Sequence, residues 1–268
     1  MGDGKKEATT PNDLANMTVA TEVAKDALNK FLLDSQPATY NSTIQQTAKG
    51  MNVDTTSNRG PGSHMEIHKR PEDTGYNNGW IDQTYRAGFD IYKETPGKDG
   101  KPVRTSERAN AELTSTLKDL DWSGTDTRLN FNFSGRDGKN PITMSRANQI
   151  DWKDASGKVG RDANGFPIQD IRSTDGANCF MPRPELKGDR SCAFRVDGLK
   201  DGQGRPLNLN MSMELSPYPN RTGFRERIVV RQNETRNVIG ILESNVSTDS
   251  SGRATSIETT VRPPRKPQ

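Results

Sequence analysis

Beyond residue 69 the chain repeatedly alternates apolar and polar residues with period two. In "TYRAGFDIYKE", Tyr85, Ala87, Phe89 and Ile91 share one face, and Thr84, Arg86, Gly88 and Asp90 take the other. "TRLNFNFS" repeats the pattern with Leu129, Phe131 and Phe133. "PLNLNMSMELS" holds it through Leu207, Leu209, Met211, Met213 and Leu215. Successive side chains of a strand point to opposite faces, so each run predicts a half-buried β-strand. Near the C-terminus "GFRERIVVRQ", "RNVIGILES" and "ATSIETTVRP" are separated by "NET" and "STDSSG", which predicts an antiparallel meander.

Two stretches carry helical spacing instead. "NDLANMTVATEVAKDALNKFLLDS" sets Val19, Val23, Leu28, Phe31 and Leu32 near one stripe, with Asn12 or Asp13 as cap, and predicts a helix over 13–34. "TSERANAELTSTLKDLDW" places Leu113, Leu117 and Leu120 at i, i+4 and i+7 and predicts a second helix. A basic residue and Asp, then Gly, then Pro and an apolar residue recur in "KDGKPV" (98–103), "RDGKNPI" (136–142), "RDANGFPI" (161–168) and "KDGQGRPL" (200–207). Asp and Gly supply the geometry of a tight reversal, and Pro opens the next strand where its missing N–H costs least. These are hairpin tips. None completes the ligand set of a calcium loop.

The fold class that follows is mainly β (α+β): an antiparallel sheet domain with one or two packed helices. A helical N-terminal segment precedes it. An amphipathic stripe must be buried against something. Residues 35–61 offer few large apolar groups, so the partner interface Val19, Val23, Leu28, Phe31 and Leu32 must meet the later chain or another molecule. The tetrapeptide Gly62-Ser63-His64-Met65 has the form of a cloning scar. The chain therefore divides into a partner-like helical segment and linker (1–61) from a different protein or region, a junction (62–65), a β-rich domain (66–262) and a frayed tail (263–268). That layout is an engineered fusion, in which a tether raises local concentration.

Composition narrows the class. Apolar residues make up 29% of 268 residues and mean hydropathy is −0.92, against roughly 45% apolar in an ordinary globular chain. Modest cores and many turns follow. Net charge is +3, from 38 basic and 35 acidic residues, so no strong field favours nucleic acid. No run reaches the ~18 apolar residues of a membrane helix. The two cysteines, Cys179 and Cys192, bracket "FMPRPELKGDRS", and a disulfide-closed loop there implies an oxidising, extracytoplasmic compartment. Their separation lacks the CxxC spacing of zinc sites.

Candidate chemistry is sparse. The only histidines, His64 and His68, sit in the expected linker, which excludes a His-based triad and a metal pair. Asp151, Asp154, Asp162, Asp170 and Asp175 read as solvated loop acids. Arg221, Arg225, Arg227 and Arg231, with Glu226 between them, read as a solvated sheet face. Trp80, Trp122 and Trp152 are scattered anchors rather than a sugar platform. Asn-x-Ser/Thr sequons occur at Asn16, Asn41, Asn132, Asn210, Asn220, Asn233 and Asn245. A polar antiparallel sheet with a companion helix and a disulfide loop is loosely similar to the head domains of pilins and pseudopilins, at the level of architecture. The reading is a non-enzymatic, exported structural or protein-interaction subunit without cofactor or metal. Its partner is another protein; the alternative is a carbohydrate- or receptor-binding adhesin.

Overall fold

The computed structural model describes residues 11–264 apart from 79–81, 119–120, 140, 152–168, 174–189, 219–221 and 233–236. One helix, α1 (Pro11–Asp34), precedes thirteen strands. These are β1 (Ala38–Gln46), β2 (Gly50–Ser57), β3 (Gly60–Asn78), β4 (Asp82–Pro96), β5 (Pro102–Lys118), β6 (Asp121–Gly135), β7 (Ile142–Asp151), β8 (Gln169–Ser173), β9 (Arg190–Lys200), β10 (Pro206–Pro217), β11 (Gly223–Gln232), β12 (Val238–Thr248) and β13 (Ala254–Arg262). Each strand from β1 to β7 pairs antiparallel with the next, and so does each from β9 to β13. β7 pairs with β9, and β1 with β13, closing a barrel of twelve strands with β8 attached to the far half of β7.

The period-two pattern decides which side is wet. Met65, Ile67, Phe89, Ile91, Phe131, Phe133, Val196, Leu209, Met211, Ile228, Leu242 and Ile257 face inward and are buried. Their neighbours in sequence point outward. In an eight-stranded barrel inward side chains just fill the interior; twelve strands enclose more. A helix about 10–12 Å across fits the extra space, and α1 occupies it.

Its side chains meet the wall on every side. Asn16 reaches β13, Glu22 meets Lys93 on β4, Lys25 meets Glu107 on β5 and Phe133 on β6, and Lys30 lies over Tyr40 on β1. Phe31 packs on Gly240 of β12, where a Cβ would stand 3.1 Å from the ring. Thr21, Ala24 and Leu28 face Met144, Val196, Met211 and Ile228 on β7, β9, β10 and β11, and Val23 and Ala27 face Thr55 and Met65 on β2 and β3. The helix enters at the end holding the β12–β13 turn, where Asn16 donates to Gly252 O and accepts from Ala254 N. It leaves beside the β9–β10 turn, where Leu33 lies against Gly202. Ser35, at φ 55°, then turns the chain back into β1.

Several expectations change. The helix expected over "TSERANAELTSTLKDLDW" is β5: Ala109 and Ala111 face inward, opposite Phe89 and Ala87 on β4 and Phe133 and Phe131 on β6. A spacing of four residues serves both periods, and the Leu113–Leu117 pair cannot separate helix from strand. The 62–65 junction corresponds to no boundary in the fold. Those residues lie inside β3, Met65 is buried opposite Val53 and Lys93, and a Cβ on Gly62 would stand 2.8 Å from Thr55 O. The sheet resembling pilin heads is a closed barrel, with its helix inside. No disulfide is seen among the described residues: Cys192 stands in β9 opposite Met213, and Cys179 lies outside them. The tips at 98–103, 136–142 and 200–207 are turns as expected, with Gly100, Gly138 and Gly204 at φ 77°, 68° and 79°. The copy at 161–168 lies outside the described residues.

The β5 assignment makes a sharp expectation. Ala111→Asp places a lone carboxylate in the lumen and should cost several kcal/mol. Glu112→Ala removes only an exposed partner of Arg86 and should cost under about 1 kcal/mol. Denaturant unfolding of both variants measures this. Equal losses would rule out the strand register.

Candidate functional site in the barrel lumen

The lumen contains charge that the composition alone does not reveal. Lys25 Nζ lies 2.9 Å from Glu22 Oε2 and 2.9 Å from Glu107 Oε2. Lys93 Nζ contacts Glu22 Oε1, and lies 2.9 Å from Asp26 Oδ1 and 3.8 Å from Glu107 Oε2. Two lysines thus alternate with three carboxylates, and Lys25 also sits 4.0 Å from the centroid of Phe133. Glu22 is fully buried. Burial pushes its carboxyl up, but the Lys25 and Lys93 charges outweigh it and hold Glu22 below the usual range. Burial likewise pushes Lys93 down, and Glu22, Asp26 and Glu107 together hold it above the ordinary lysine value.

Glu226 is different. It points into the lumen from β11, in phase with Ile228 and Val230, and its Oε2 is buried without a hydrogen-bond partner. Burial pushes its carboxyl up to about 7. It lines a cavity of about 20 Å³ together with Thr21 and Lys25 of the helix and Met144, Val196 and Met211 of the wall. That is room for about one water. A second cavity, about 10 Å³, lies between Asp26, Lys30, Tyr40, Thr55 and Ser63.

The outer wall of β3–β6 carries a second grouping. Tyr92 has the guanidinium of Arg104 4.9 Å and that of Arg136 5.1 Å from its ring centroid, and the His68 ring is 5.1 Å away. Asp90 gathers Arg70, Arg108 and Arg136 at 3.6–3.9 Å. Gly88 admits this cluster: a Cβ there would meet the Arg70–Asp73 pair within 2.8 Å.

The structure brings Val19, Val23, Leu28 and Phe31 into the lumen core, with Leu32 packed at its margin, so their partner is the barrel of the same chain. His64 and His68 lie on the outer face of β3, bound to Asp54 at 2.7 Å and Glu66 at 3.1 Å. Arg225 and Arg227 face outward toward Glu243 at 3.6 and 3.5 Å, whereas Glu226 between them faces inward. Glu226 thus leaves the solvated face expected of it, and its phase with Ile228 and Val230 is the signal. Lys93 was equally legible, two residues beyond Ile91. Asp154, Asp162, Asp175, Trp80, Trp152, Arg221, Asn220 and Asn233 lie outside the described residues. Of the sequons, Asn16 is buried in the helix, and Asn41, Asn132 and Asn245 are exposed.

Two measurements follow. The ordinary Glu226 value is 4.5 and the folded value about 7, so folding takes up a proton between them. This group's stabilising contribution is full below about 4.5, is lost as pH rises, and levels off above about 7. Glu226→Gln should remove that slope. The stability of the variant relative to the parent should rise by up to roughly 3 kcal/mol from pH 4 to pH 8. A constant difference would dismiss the buried carboxyl. Separately, Lys93→Met leaves Glu22 a single partner and should cost about 3–5 kcal/mol, much of it recovered in the Glu22→Gln, Lys93→Met double variant. Chemical denaturation of the four proteins completes the cycle, and strict additivity would deny the coupling.

Comparison with protein-family models, with curated proteins and with solved structures finds no match to this chain.

Proposed function

We propose that this protein is a non-enzymatic structural or protein-interaction subunit whose outer wall, not its lumen, does the binding, and that it works outside the cytoplasm. The small cavities that α1 leaves among the described residues carry this reading. A drug-sized ligand needs roughly 300 Å³ or more, whereas two lumenal cavities lined by described residues hold about 20 and 10 Å³. The outer wall offers Tyr92 between Arg104 and Arg136, and Tyr and Arg are over-represented where protein partners dock.

No helix among the described residues is long and apolar enough to cross a membrane. The barrel's outer face carries Asp54, Glu66, Asp90, Glu94, Arg104 and Arg108. A lipid-facing band would charge up to about 2–4 kcal/mol for a cation at mid-depth, so a wetted exterior suits this sequence better. The adhesin alternative rests on the same exposed aromatic–arginine wall, with a glycan in place of a protein.

Thermal unfolding against a panel of nucleotides, metabolites and metal ions should show no saturable rise in melting temperature, and a glycan array should stay dark. A saturable small-molecule shift would replace the reading with a lumenal ligand site. Glycan binding lost in Tyr92→Ala would establish the adhesin reading. Fractionation of the source cells tests the compartment, and recovery in the cytosol would overturn it.

A further inference from the structure

The carboxyl of Glu226 shares a cavity with the lumenal helix, which is joined to the wall only through the short turn into β1. The cavity beside it is lined on the helix side by Thr21, Ala24, Lys25 and Leu28. The wall contributes Met144, Val196, Met211 and Ile228 among others, all without charge. Its cross-strand neighbours are Leu215 on β10 and Ser244 on β12, and Ser244 Oγ is already engaged with Thr259 Oγ1 at 3.0 Å. Among the described residues lining the cavity, Lys25 is the one other titratable group, and its ammonium is held by Glu22 and Glu107. An ionised Glu226 would thus find no uncommitted counter-charge among the described residues lining the cavity while α1 keeps its seat.

We propose that Glu226 is a proton-operated seat for the lumenal helix: protonated, it lies neutral against Thr21, Ala24 and Leu28; ionised, it draws in water and loosens α1 from the wall. The proton goes to bulk water, and the cavity, one water in size, is the first place hydration enters. An elevated titration range near 7 sets the device at mildly acidic to neutral pH. The strands, hydrogen-bonded around a closed ring, keep their register while the helix responds. The lumen, closed to ligands in the seated state, would gain access only in the loosened one.

Hydrogen exchange tests this on the intact chain, with each rate divided by the intrinsic rate at its pH. A helix whose loosened state restores the ordinary carboxyl value should lose about thirtyfold in protection between pH 5.5 and 8.5. Peptides from β12 and β13 should hold theirs. Glu226→Gln and Glu226→Met should both make helix protection independent of pH. Unchanged helix protection in the parent overturns the proposal, and so does a pH response that persists in the variants. If neither variant folds, titration of the Glu226 carboxyl carbon by NMR decides: a midpoint near 7 that moves with the helix amide shifts supports the seat, and one near 4.5 eliminates it.

Discussion

A ring of twelve strands encloses more space than its inward side chains fill, and that surplus governs the rest of this structure. Left empty, it would forfeit the contacts that make burial favourable and admit water to an apolar wall. α1 removes the surplus. Small residues stand on the inward face of the wall: Gly240 beneath Phe31, and Ala87, Ala109 and Ala111 along β4 and β5. Closure follows from the same fit. Pairing β1 with β13, and β6 with β7, joins the strands into a ring.

A helix buried all round would ordinarily be apolar all round. α1 is not, and its polar residues are distributed with purpose. Asn16 grips the β12–β13 turn at one end, while Glu22, Lys25 and Asp26 meet Lys93 and Glu107 farther along. An apolar helix in an apolar tube could slide and rotate with little penalty. These contacts specify depth and angle, the role for which buried polar groups are best attested. Glu226 stands apart: its Oε2 is buried without a hydrogen-bond partner.

Much of this was legible. The stripe of Val19, Val23, Leu28 and Phe31 announced the helix, and the alternation through Leu209 and Met211 announced β10 with its inward face. Local pattern failed where two periods coincide, as at Leu113 and Leu117, and where strand residues are weak β-formers, as at Gly62-Ser63-His64-Met65. There pairing on both sides, to β2 and β4, overrides propensity. Barrel closure was invisible because it rests on contacts between the ends of the chain, which no window of sequence contains. The lumenal charges were half visible: Lys93 and Glu226 sit in phase with buried neighbours, but phase alone does not tell whether a charge is tolerated. Only the partners, or their absence, decide that.

The order of elements has a consequence in time. The helix comes first and the strand that closes the ring comes last; the hydrogen bond from Ala254 N to Asn16 Oδ1 spans 238 positions. At a synthesis rate of 5–20 residues per second, α1 waits on the order of ten to fifty seconds for that partner. Throughout the wait a growing, open sheet presents a raw edge and an uncovered apolar face, and the ring cannot shut before its final strand arrives. Contacts so distant in sequence make folding slow. Loss of β13 would remove at once the partner of β1, the partner of β12 and the anchor of Asn16.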